Sequence, residues 1–127
     1  MRLPGTIFLD IDGTIFKHRG SITNTALSNA ELLPGVLDML GRWDSAGYKI
    51  ILITGRKESL RKKTEEDLAR LGIVYDMLIM GLPNGPRIVI NDTKSTSDNP
   101  TAFGISLPRN KGLEDLQQQF NDLEDNN

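Results

Sequence analysis

Cysteine is absent from the chain, which excludes disulfides and thiolate metal sites and fits a reducing compartment. Long apolar runs are absent too. With 38% hydrophobic and 25% charged residues, the composition is that of an ordinary soluble globular protein and offers no membrane span, collagen repeat or disordered tract. Residues 1–5 carry only Arg2 and then a Pro-Gly break, with neither an apolar h-region nor a small-residue cleavage site, so no export is expected and the expected location is the cytoplasm. Charge of one sign is also scarce: 15 Lys and Arg face 17 Asp and Glu, for a net charge of -2. No global field draws the chain onto nucleic acid or anionic lipid, and any polyanion affinity must be local. No internal repeat or low-complexity linker is visible.

What is present fits one compact domain over residues 1–127, a length that supports a single core. The run 6–9 (TIFL) reads as a strand buried on both faces and ends at Asp10. Leu33, Val36, Leu37, Leu40 and Trp43 then recur at helical spacing, with Pro34 in the first turn and Gly47 past the end. A second buried strand is expected at 49–54 (KIILIT). It is followed by a helix whose face carries Leu60, Thr64, Leu68 and Leu71 and which stops at Gly72. Residues 75–80, 87–91 and 102–107 read as further short strands. Leu113, Leu116, Phe120 and Leu123 give a closing helix, with a frayed tail at 124–127. Strands alternating with helices predict an α/β fold, an open and mostly parallel sheet with helices on both faces. Residues 81–86 are short for a helical crossover, so they cross extended or the strand at 75–80 is misplaced.

In parallel sheets ligands bind beyond the carboxyl ends of the strands, and three expected strands end in reactive groups: Asp10-Ile11-Asp12-Gly13-Thr14, Thr54-Gly55-Arg56 and Asn91-Asp92. Two carboxylates one residue apart on a chain leaving a strand can diverge, one meeting phosphorus in line while the other reaches the leaving oxygen. Phosphoryl transfer needs that division of labour. A hard divalent cation relieves the repulsion between such carboxylates, which points to magnesium with Asp10 and Asp92 as ligands. Thr54 offers a hydroxyl and Gly55 an unobstructed N–H to phosphate oxygens, and Arg56 is a candidate phosphate clamp. Arg56, Lys57, Arg61, Lys62 and Lys63 form a basic group that reads as a solvated helix face. His18, the one histidine, lies in a polar loop and is assigned no role.

These segments resemble known motifs. FLDIDGTI resembles the first motif of the haloacid dehalogenase (HAD) superfamily, ILITGR its second and IVIND its acidic fourth, while LLPGV is similar to what many members carry before the first helix. The resemblance spans residues 6–116. It implies a Rossmann-like three-layer fold in which Asp10 forms an aspartyl-phosphate and Asp12 acts as acid, then base. Thr54 would hold the phosphoryl group, and Mg2+ would bind Asp10, the Asp12 carbonyl and Asp92. Residues 16–33 leave no room for a cap domain, so the chain resembles a capless member.

One departure stands out. Related sequences commonly carry a Lys in a Gly-Lys-Pro stretch after the third strand, and here the stretch is Gly81-Leu82-Pro83. Losing one charge-assisted contact costs on the order of 2 to 4 kcal/mol of transition-state stabilisation unless something replaces it. Lys94, two residues past Asp92, is the expected substitute. Arg87 is a poor one, since it opens the expected strand that Asn91 closes and would lie roughly 15 Å away at about 3.3 Å per residue. Arg109 is a further candidate for substrate contact. The leading function is therefore a magnesium-dependent phosphomonoesterase acting on a phosphorylated small molecule or macromolecular end. The rivals are a binding or regulatory module that keeps the fold, favoured by Leu82, and a polynucleotide-end phosphatase resting on the basic helix.

Overall fold

A computed structural model describes residues 3–93 and 100–125. In chain order its elements are β1 (Thr6–Asp10), α1 (Ile22–Leu27), α2 (Val36–Ser45), β2 (Lys49–Ile53), α3 (Arg61–Arg70), β3 (Met77–Ile79) and α4 (Leu116–Asp125), with a 3-10 turn at Glu58–Leu60 leading into α3. The strands form one parallel sheet in the order β1-β2-β3, a Rossmann-like α/β arrangement. Its register sets Leu9 beside Leu52 and Leu78, and Asp10 beside Ile53 and Ile79. All three strands consequently discharge their following loops at the same edge, which is what allows groups far apart in sequence to meet there.

Alternation along the strands decides the packing. Leu9, Ile50, Leu52 and Leu78 are buried in one core with Val36, Met39, Leu40 and Trp43 of α2 and Leu68 of α3. Both crossovers run in the same direction across the sheet, and right-handed connections then put α2 and α3 on one face. Phe8, Ile51 and Met77, in register on the alternate positions, stay half-exposed at the two flanking strands, at 51% for Phe8 and 48% for Met77. The segment leading to α4 is drawn back to this core through Leu113 and Leu116, both buried. Phe120 then seats against Trp43 and Tyr48, with ring centroids 5.4 and 5.7 Å apart.

Several elements differ from the sequence expectation. Pro34 precedes α2, which starts at Val36, and the closing helix starts at Leu116 rather than Leu113. The polar stretch after β1 contains α1, whose Ser21 side chain accepts the Asn24 N–H as an N-cap. The excursion from Ile15 to Leu33 closes on itself, with Lys17 N–H donating to Glu31 and Leu33 N–H to Ile15, and carries only that six-residue helix. It holds no cap domain.

The larger correction concerns 87–91 and 102–107, which are not strands. After β3 the chain does not cross to a free sheet edge. It turns back at once: Gly81 N–H donates to Arg56 O at 2.7 Å and Leu82 N–H to Thr54 O at 3.1 Å. Residues 88–90 are thereby left without a neighbouring ladder, and Ile88 and Ile90 are 80% and 91% exposed. A β-branched run becomes a strand only beside a partner that takes up its backbone groups.

Candidate active site

Asp10 is the last residue of β1, and the chain beyond it knots tightly. The buried Ile11 carbonyl accepts the N–H groups of Thr14, Ile15 and Phe16, and Gly13 N–H donates to Phe16 O. Gly13 takes φ +90 in this turn, and a Cβ there would meet the stem of Arg109 at 3.1 Å. The positive φ is what favours glycine there, while the exposed Arg109 stem could shift by a few tenths of an ångström. The knot leaves the Asp10 carboxyl half-buried, with Thr14 Oγ1 donating to its Oδ2 at 3.3 Å. Burial pushes that carboxyl above its ordinary range and the neighbouring Asp12 charge pushes the same way, while the Ile11 N–H, the Thr14 hydroxyl and the Arg87 charge pull it back.

Asp12 points elsewhere. Both its oxygens accept from Arg56, Nε to Oδ2 and Nη2 to Oδ1, each at 2.8 Å, the two-pronged geometry that makes such pairs strong. The remaining terminal nitrogen of Arg56 donates to Thr64 Oγ1 of α3 at 2.9 Å, and the guanidinium lies 5.7 Å from the centre of the Phe16 ring. Arg56, expected as a phosphate clamp, is 7% exposed, and the structure places its nitrogens on Asp12 and Thr64. Beneath this pair, Asp67 is buried among Lys63 at 2.9 Å, Arg70 at 3.3 Å and Arg19 at 3.8 Å. The basic group on and before α3 is therefore only partly solvated. Arg56 and Lys63 are taken up by Asp12 and Asp67, Arg61 pairs with Glu58 and Glu65, and Lys57 and Lys62 are exposed.

Thr54 follows the last residue of β2 and is buried. Its N–H donates to Ile79 O, and its hydroxyl accepts the Arg56 N–H at 3.1 Å, so the hydroxyl still has a hydrogen to donate. Gly55 sits under the returning loop: a Cβ would stand 2.7 Å from Asn84 Oδ1 and 3.4 Å from Leu82 O. That loop continues through Pro83 and Gly85, whose carbonyls both accept from Arg87 Nη1, at 2.8 and 2.9 Å. Arg87 is thus folded back toward the β2 exit, and its charge acts on Asp10. The distance expected from an extended strand does not apply, because no strand forms.

Asp92 is exposed. Its N–H donates to the Asn91 side chain at 3.0 Å and its carbonyl accepts from the Thr101 hydroxyl. Lys94 lies outside the described residues, as does the side chain of Leu123. Arg109 arches over Gly13, held there by Asn110 N–H donating to Gly13 O and by His18 N–H donating to Asn110 Oδ1, both at 2.8 Å. Among the described residues no three His, Cys, Asp or Glu gather as a metal-holding group. The donor chemistry is still suited to magnesium, which keeps several waters and takes only one or two carboxylates. Asp10 is a hard oxygen donor whose ionised form is disfavoured by burial and by Asp12, both of which a cation would offset.

Sequence reasoning missed Thr64 and Phe16 as supports of Arg56, and Asp67 as the anion beneath it. An acidic residue on the apolar stripe of α3, three positions after Thr64, was the available signal. No helix among the described residues is long and apolar enough to cross a membrane.

Comparison with known proteins adds a family. The family described as HAD superfamily, subfamily IIIB (Acid phosphatase) matches residues 23–100, more than half of the 127 residues. The match begins past Asp12, so the carboxylate pair rests on its own geometry. A chain in the structure of the Pnkp1/Rnl/Hen1 complex aligns over 76% of this chain at 32% identity and a TM-score of 0.56. A chain in the structure of the Pnkp1/Rnl/Hen1 RNA repair complex does so over 67% at 34% identity, also at 0.56. This chain spans only 31% and 28% of those two. A crystal structure of a structural-genomics target from Vibrio cholerae shares the fold over 93% of this chain and 98% of its own, at 19% identity and a TM-score of 0.51. No curated protein matches significantly.

Proposed function

The chain belongs to the HAD superfamily, subfamily IIIB (acid phosphatase), a family of phosphate-ester hydrolases, and from that premise we propose that it hydrolyses phosphomonoesters through an aspartyl-phosphate on Asp10 with Mg2+ as cofactor. One observation carries the reading. Two carboxylates leave β1 one residue apart, and only one of them is tied down: Asp12 accepts from Arg56 at both oxygens, while Asp10 has a weak 3.3 Å bond from Thr14.

In the forward step an Asp10 oxygen attacks phosphorus, the bond to the leaving oxygen breaks, and Asp12 gives that oxygen a proton. In the return step a water loses its proton to Asp12 and attacks phosphorus. The Asp10–phosphate bond breaks, and inorganic phosphate leaves. To carry the proton Asp12 must release one of its two Arg56 bonds, so Arg56 acts as a positioning residue that sets where the carboxyl sits before each transfer. Thr54 and the Gly55 N–H are the proposed phosphate donors at the β2 exit. Asp10, the Asp12 carbonyl and Asp92 would hold magnesium, which neutralises charge on the phosphoryl oxygens when bound.

The test is hydrolysis of p-nitrophenyl phosphate with and without magnesium, together with melting temperatures. Magnesium should raise the melting temperature of the wild type, since a ligand of the folded state stabilises it by mass action. Asp92→Ala should remove that rise. Absence of magnesium-dependent turnover from the wild type would return the chain to the class of binding modules.

A second reading, a polynucleotide-end phosphatase, is favoured by the similarity to chains in the Pnkp1/Rnl/Hen1 assemblies, one of them described as an RNA repair complex. The commitment of Arg56, Arg61 and Lys63 to carboxylates weakens the basic helix as a nucleic-acid face. Salt-dependent binding of a 3′-phosphorylated oligonucleotide, with a slope of several counterions, would support it.

A further inference from the structure

Resting on the phosphatase reading above, we propose that Arg87 holds the substrate's phosphoryl oxygens beside Asp10, supplying the cationic contact that Leu82 cannot. The site needs such a group. A phosphate approaching Asp10 brings negative charge to a carboxylate, and phosphoryl transfer is catalysed largely by positioned positive charge and donors. Arg56, the nearest cation in sequence to the β2 exit, is unavailable because its Nε, Nη1 and Nη2 are bonded to Asp12 and Thr64. Leu82 occupies the stretch after β3 with an apolar side chain, its N–H fixed to Thr54 O.

Arg87 is held in a different way. The loop bearing it is pinned to the β2 exit at three points: Gly81 on Arg56 O, Leu82 on Thr54 O, and Asn84 against Gly55. Within the loop only Nη1 is engaged, by the Pro83 and Gly85 carbonyls. Among the described residues Nε and Nη2 have no hydrogen-bond partner, and the side chain is exposed. A guanidinium clipped by one nitrogen and open on the others presents two parallel N–H groups, the fork that binds phosphate oxygens in pairs. Through Leu82 the loop is bonded to Thr54, the residue after Ile53, and Ile53 stands beside Asp10 in the sheet register. The two carbonyl bonds fix the guanidinium's direction before substrate arrives, which limits the ordering needed on binding.

Four proteins separate this role from a purely structural clip: wild type, Arg87→Ala, Arg87→Gln and the double variant Arg87→Ala with Leu82→Lys. The glutamine keeps a polar side chain with an N–H donor but no charge. Turnover of p-nitrophenyl phosphate is measured beside the affinity for orthovanadate in the presence of magnesium, a readout that needs no turnover. Arg87→Ala and Arg87→Gln should each lower kcat/KM by about 10²-fold and weaken orthovanadate by a comparable factor, with the magnesium-induced rise in melting temperature kept. Leu82→Lys should recover about tenfold on the alanine background. Orthovanadate affinity of Arg87→Gln within roughly threefold of the wild type would overturn the role and reduce Arg87 to a loop clip. A wild type that binds orthovanadate separates that outcome from failure of the phosphatase reading, in which neither turnover nor orthovanadate binding occurs and the role falls with it.

Discussion

The two halves of the site are built to different standards of rigidity. Just past β1 and β2, Asp12, Thr54 and Arg56 are buried or half-buried, and the Asp12–Arg56–Thr64 chain leaves few donors or acceptors unused. On the return segment, Arg87, Asn91 and Asp92 are exposed and bonded mainly to their own loop. Groups that must start each step from one position are best held by a supporting shell, whereas groups that engage substrate or metal on arrival come from segments with few buried contacts. The general acid/base belongs to the first class and the proposed phosphate and metal contacts to the second.

That contrast makes measurable claims. The largest effect is expected at Asp67, buried among three cations. Asp67→Ala leaves those charges uncompensated and should cost about 3–5 kcal/mol of stability, read by urea denaturation. A loss below about 1 kcal/mol would mean the layer beneath Arg56 is solvated like a surface network. Next comes a direct pairing of the regions. Leu52, fully buried on β2, should cost about 2–5 kcal/mol when cut to alanine. Ile90→Ala, on the exposed run, should stay within about 0.5 kcal/mol. Equal costs would show that residues 88–90 are packed in solution and would erase the distinction.

The smallest effect concerns pH. Burial, then Asp12, raises the Asp10 carboxyl above its ordinary value of 3.8. The folded state therefore favours the protonated form, whose stability contribution is whole below that ordinary value and is lost as pH rises through the raised one. In metal-free protein the melting temperature of Asp10→Asn should match the wild type in acid and exceed it at neutral pH. A difference that is constant with pH would contradict the burial of Asp10.

How much was legible beforehand follows the same line. Residues 6–14 and 49–56 declared themselves because buried parallel strands are short apolar runs, and a carboxylate or Thr-Gly pair at their ends has no reason in packing. The fold class was legible from the alternation of such runs with helical periods. The run 87–91 is as apolar as β1, with three apolar residues of five in each, yet it is not a strand, since pairing depends on where the preceding turn delivers the chain. Gly81 and Leu82 fix that through backbone bonds invisible to side-chain pattern. Arg87 was discounted on a distance along a strand that does not form. Arg56 was read as a free clamp because sequence gives no count of the acceptors around it, and Asp12 and Thr64 lie 44 and 8 residues away.

The central claim is a covalent bond between phosphate and Asp10. Acid quenching during turnover of p-nitrophenyl phosphate, followed by borohydride reduction, converts an aspartyl-phosphate to homoserine, which peptide mass spectrometry locates. The account predicts homoserine at position 10 in wild type incubated with substrate and magnesium, and none in wild type without substrate or in Asp10→Asn. Magnesium-dependent release of nitrophenol with position 10 unmodified, or homoserine at another aspartate, would contradict it.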